Sequence, residues 1–88
     1  MPKFLVTRTV PNLTQEAIDA ANKRDVATCR EMGTVRWIKS YHSAKDGKFY
    51  CEYEAPSIEA IYEHAKLMNS PVESVSIISD EFDASMFK

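Results

Sequence analysis

The sequence predicts an α+β fold of ferredoxin-like βαββαβ order, a four-stranded antiparallel sheet with both helices on one face. Three observations lead there. Strand-like and helix-like segments follow one another in the order β-α-β-β-α-β. The two middle strands flank Ala44-Lys45-Asp46-Gly47, a tight-turn sequence that makes them a hairpin. Finally, 88 residues, 44% hydrophobic and 27% charged, suit one globular domain spanning 1–88 and leave no room for a second core.

Each element has a local cause. Lys3 to Val10 is aliphatic and threonine-rich and stops at Pro11, as a first strand would. Thr14 is a good helix N-cap, Glu16 places an anion in the first turn, and Gln15 to about Glu31 is rich in strong helix formers. Gly33 follows Met32 where a C-terminal cap is expected. Val35 to His42 is β-branched and aromatic, and Lys48 to Glu54 alternates as its hairpin partner. Ser57 caps a second helix in which Ile58, Ile61, Tyr62 and Ala65 fall at helical spacing, ending near Met68. Asn69-Ser70-Pro71 breaks it, and Val72 to Ile78 is the fourth strand.

The hairpin fixes a register. Ser43 lies opposite Lys48, His42 opposite Phe49, Ser40 opposite Cys51, and Lys39 opposite Glu52, a favourable cross-strand pair. Simple alternation along strand two puts Val35, Trp37, Lys39 and Tyr41 on one face and Arg36, Ile38, Ser40 and His42 on the other. Apolar groups occur in both sets, yet the chain has only enough helix to cover one sheet face. The expected solution is a homodimer that stacks the bare faces, a dimeric α+β barrel, with the Phe82–Phe87 segment contributing.

Composition excludes several function classes. Eleven Lys and Arg against thirteen Asp and Glu give a net charge of −2, with no general attraction for nucleic acid or anionic lipid. The third strand lacks the basic and glycine pattern of an RNA-binding sheet. The N-terminus turns polar within a few residues, and nothing approaches the ~18 apolar residues of a membrane span, so a cytoplasmic protein is expected. Cys29 and Cys51 show no CxxC or metal-type spacing and are expected as free thiols. No phosphate-binding loop, HExxH, GxSxG or catalytic-triad spacing occurs.

The candidate donors are few. Ile18, Ala21, Asp25, Cys29 and Met32 share one face of the first helix, which sets the Asp25 carboxylate in the stripe bound for the core. A bare charge there costs several kcal/mol unless it meets a partner or a metal. The commoner resolution is a slightly rotated helix in which Asp25 reaches the edge and pairs with Arg or Lys; both readings stay open. His42 and Cys51 lie on one side of the hairpin, one diagonal step apart, within reach of a shared cation. His64 flanks the stripe of the second helix, ordinarily a surface position. The four tyrosines with Trp37 suit either packing or a ligand cleft.

Trp37-Ile38-Lys39-Ser40-Tyr41, Lys48-Phe49-Tyr50-Cys51-Glu52-Tyr53-Glu54-Ala55-Pro56 and Glu59-Ala60-Ile61-Tyr62-Glu63-His64-Ala65 together carry a further signal. This pattern resembles a small ferredoxin-like bacterial family of unknown function described as nickel-binding or nickel-responsive-regulator-like. Phe4-Leu5-Val6-Thr7-Arg8, Leu13-Thr14 and Pro71-Val72 extend the resemblance over nearly the whole chain. It implies a dimeric ferredoxin-like fold and nickel as the metal, with His64, Cys51, His42 and Asp25 the donors available here. Many members carry His just before Ser-Tyr, where this chain has Lys39, which when charged cannot ligate. Mixed N, S and O donors suit Ni, Zn or Cu alike. A small non-enzymatic dimeric metal-binding protein is therefore expected. The alternative is a dimeric α+β-barrel enzyme or small-molecule-binding protein that uses a cleft between helices and sheet, with His64 or His42 as acid and base. A third reading is a ligand-sensing or purely structural partner module.

Overall fold

A computed structural model describes residues 1–87. Strands β1 (Lys3–Thr9), β2 (Arg36–Ser43), β3 (Lys48–Glu54) and β4 (Ser74–Ile78) and helices α1 (Gln15–Met32) and α2 (Ile58–Met68) follow in the order βαββαβ, and a short 3-10 turn covers Ala84–Phe87. The sheet order is β2-β3-β1-β4 with every neighbouring pair antiparallel. This is the ferredoxin-like α+β fold.

The caps sit where the side-chain chemistry places them. Thr14 Oγ1 accepts from the Ala17 amide at 3.1 Å and Ser57 Oγ from that of Ala60 at 3.3 Å, each satisfying a donor that the first helical turn leaves unpaired. Gly33 closes α1 at φ 70°, and Asn69 closes α2 at φ 52°. β4 begins at Ser74 rather than Val72. The Pro71 carbonyl is taken by the Arg8 side chain instead of a ladder partner, so regular pairing starts later.

Gly47 ends the hairpin turn at φ 65°, its amide donating to the Ala44 carbonyl at 3.3 Å. Its own carbonyl accepts from Val10 at 2.8 Å, and a β-carbon there would lie 3.1 Å from the Pro11 α-carbon. The turn is thereby locked onto the β1–α1 loop.

Cross-strand partners define the faces. Phe4, Val6 and Arg8 on β1 stand opposite Tyr53, Cys51 and Phe49 on β3, which in turn stand opposite Trp37, Ser40 and His42 on β2. The hairpin register is the expected one, but simple alternation along β2 is not. A bulge between Trp37 and Lys39 adds one residue, so Trp37 shares a face with Ser40, and its indole N–H donates to Ser40 Oγ at 2.9 Å. Both helices pack on this inner face, around Phe4, Val6, Val35, Cys51, Tyr53, Ala55 and Ile61. Each large apolar side chain buried there contributes about 1.5–3 kcal/mol.

The outer face carries Leu5, Thr7, Tyr50, Glu52, Lys39 and Tyr41. Tyr41 is 49% exposed, and the Lys39 ammonium lies 5.4 Å from its ring centroid. Lys3 pairs with Glu81 at 2.8 Å and so ties down the segment after β4, where Phe82, Met86 and Phe87 are exposed. Among the described residues no helix is long and apolar enough to cross a membrane.

Candidate metal centre and adjoining cavity

Asp25 is the one buried residue of α1, at 4% exposure. The stripe that carries it, from Ile18 to Met32, is the face that packs on the sheet. Its carboxylate does not reach the helix edge for an Arg or Lys. It is satisfied inside, by three donors from three elements. The Tyr53 hydroxyl donates to Oδ2 at 2.5 Å, the His64 Nε2–H donates to Oδ1 at 2.8 Å, and the Cys29 thiol, one helical turn along, donates to Oδ1 at 3.5 Å. The imidazole proton is assigned to Nε2 because an ionised carboxylate can only accept.

His64 is fully buried rather than on the surface. The buried stripe of α2 is Ile61, His64, Ala65 and Met68, while Ile58 and Tyr62 are exposed at 39% and 50%. Counting tyrosine as apolar and histidine as polar rotates the predicted stripe away from the real one. The ring packs at 4.9 Å from that of Tyr53, and its Nδ1 is buried with no hydrogen-bond partner.

Asp25, Cys29 and His64 thus form a group whose donor atoms lie within 4.8 Å of one another. Asp25 Oδ1, His64 Nε2 and Cys29 Sγ make a triangle with edges of 2.8, 3.4 and 3.5 Å. Ligand atoms held about 2.0–2.3 Å from one ion subtend edges of about 2.8–3.8 Å, so the triangle fits one face of a coordination shell. Burial pushes the Cys29 thiol up to about 12, with the charge and hydrogen bond of Asp25 adding to it. Burial, and then the Asp25 charge, also holds the Tyr53 phenol well above its ordinary range. Without a cation both stay protonated and serve as donors to the carboxylate.

The other two donors singled out in the sequence lie apart from this group. Cys51 is buried in the core beside Arg8. His42 is exposed and stacks on Phe49 with ring centroids 4.3 Å apart. Helical spacing puts Cys29 on the Asp25 face, but no ligand motif marks it as a donor. Tyr53 and Arg8 carry no such motif either, although strict alternation of Phe4, Val6 and Arg8 along β1 is a signal that Arg8 points inward.

Next to this group a cavity of about 440 Å³ opens between Leu13 and the first half of α1, at Ala17, Ile18 and Ala21, on one side and the sheet residues Arg8 and Phe49 on the other. Asp25 lines it too and connects it with the donor triangle. Arg8 is 5% exposed; its Nη1 donates to the Pro71 carbonyl at 3.1 Å and its Nη2 to the Tyr53 hydroxyl at 3.4 Å.

Fold and site together describe a ferredoxin-like domain with a buried N, O and S donor group. The family model of the nickel responsive protein SCO4226-like family matches residues 4–78, and the chain belongs to that family. Its fold is similar to the crystal structure of SCO4226 from Streptomyces coelicolor A3(2), with a TM-score of 0.81 at 17% identity over 91% of this chain and 99% of that one. It is also similar to Rv0793 from Mycobacterium tuberculosis, with a TM-score of 0.55 at 20% identity over 96% and 99%. At these identities the two structures speak for the fold alone. No curated protein matches the sequence.

Proposed function

We propose that this protein is a small, non-enzymatic, dimeric binding protein that holds a divalent transition metal, nickel in the first instance, at Asp25, Cys29 and His64. The observation that carries the reading is the buried donor triangle, supported by the family's description as nickel responsive. Of the donors singled out in the sequence the proposal keeps Asp25 and His64, adds Cys29, and leaves out Cys51 and His42. A bound cation would replace the protons now shared among the three side chains, and three protein donors leave further coordination positions for water or a ligand. Lys39, where the family resemblance leads one to expect His, belongs to the outer face and does not touch the inner group.

Calorimetric titration of nickel into untagged, metal-free protein tests this. Binding of one ion per chain is expected, weaker at pH 5.5 than at 7.5 because protons compete for the donors. Asp25→Asn and Cys29→Ser should each lose at least tenfold in affinity, about 1.4 kcal/mol, with an unchanged circular dichroism spectrum. No binding by the parent, or full affinity in both folded variants, overturns the proposal.

The cavity supports a second reading, a small-molecule-binding protein or enzyme of the dimeric α+β-barrel kind with its ligand between α1 and the sheet.

A further inference from the structure

Arg8 is a buried cation without an anion. Its guanidinium carries five N–H donors and is permanently charged. Its two hydrogen bonds go to a carbonyl and a neutral phenol. Among the described residues Arg8 forms no ion pair. Asp25 is held off by Tyr53, which stands between them, accepting from Arg8 and donating to Oδ2. A charge taken out of water in this way is unfavourable unless an opposite charge answers it. Arg8 also lines the cavity, whose other walls are mostly apolar, with Ser40 as a hydroxyl on the sheet side. Exposed Arg24 at the α1 side adds a second cation, and Asp25 is the only carboxylate in the lining. Both Asp25 oxygens are already engaged by protein donors.

We infer that the cavity between α1 and the sheet binds a small organic carboxylate, its anionic head on the Arg8 guanidinium and its apolar body against Leu13, Ala17, Ile18 and Phe49. The inference rests on the small-molecule reading of the cavity and does not require the metal. Planar guanidinium and carboxylate groups match edge to edge, and a site that excludes water strengthens the pairing. A volume of about 440 Å³ accommodates a ligand the size of a benzoate or a short-chain fatty acid.

Benzoate, its neutral isostere benzamide and inorganic phosphate are titrated separately into chelator-stripped, desalted protein, followed by amide chemical shifts. Benzoate should bind at least tenfold more tightly than either comparator, with shifts centred on Arg8, Ala21 and Phe49. Arg8→Met keeps the aliphatic stem, removes the charge and should lose at least tenfold for benzoate while leaving benzamide unchanged. Should Arg8→Met not fold, Ala21→Phe, which fills the cavity from α1, is expected to abolish benzoate binding instead. Equal binding of benzoate and benzamide, or full benzoate affinity in folded Arg8→Met, overturns the anion site but leaves the apolar cleft. Phosphate binding as tight as benzoate overturns the role of the apolar body. Failure of all three to bind, or undiminished benzoate binding by Ala21→Phe, overturns the cleft as well.

Discussion

Asp25 shows how one residue can organise an interior. A lone carboxylate at 4% exposure would be strongly destabilising, yet here it gathers Tyr53, His64 and Cys29 from three different elements. The cost of burial is offset by charge-assisted hydrogen bonds, and the Cys29 thiol and Tyr53 phenol are pushed toward their protonated forms. For Cys29 the sign is definite. Its folded-state value, about 12, stands above the ordinary value of 9.0, so the stability it contributes is whole below pH 9 and is lost as pH rises toward 12. In metal-free protein, urea denaturation from pH 8 to 11 should show the parent losing stability more steeply than Cys29→Ser. Identical slopes would mean that neither burial nor the Asp25 carboxylate raises the thiol.

At the scale of elements, the two irregular points of the sheet matter more than its regular parts. Gly47 combines a left-handed φ of 65° with a position where an added β-carbon would lie 3.1 Å from Pro11, so Gly47→Ala meets both a conformational and a steric penalty. A loss of about 1–2 kcal/mol is expected from the conformation alone, read from urea denaturation midpoints. A neutral substitution would show that the turn is free to re-form. Most of this architecture was legible in the sequence because its causes are local: Thr14 and Ser57 as caps, Gly33 as terminator, Asp46-Gly47 in the turn, and Lys39 against Glu52 for register. The bulge was not legible, since one extra residue in β2 serves the packing of Trp37 beside Ser40, a contact local pattern does not encode. The site was half legible. The helical spacing marked Asp25 and set Cys29 one turn along, but its other partners arrive from positions 53 and 64, brought close only by packing α1 and α2 together on one sheet face.

For the whole molecule the open question of surface is the outer face. Leu5, Tyr50 and Tyr41 alternate there with Lys39 and Glu52, an amphipathic surface of the kind that suits a two-fold interface. Light scattering at micromolar concentration should report twice the mass of one chain, and Leu5→Arg should shift the population toward monomer without altering the circular dichroism spectrum. A single-chain mass across that range would rule the dimer out.

The bulge has a consequence for solubility as well. β2 is an edge strand, with one row of backbone groups unclaimed by any neighbour in the sheet. A straight eight-residue edge invites another chain to add itself as a further strand, and so on without limit. The extra residue between Trp37 and Lys39 breaks the spacing of that row and twists it, so an incoming strand finds only short, mismatched stretches to pair with. At the opposite edge β4 is only five residues long. Unlimited edge-to-edge growth is thereby hindered at both ends of the sheet.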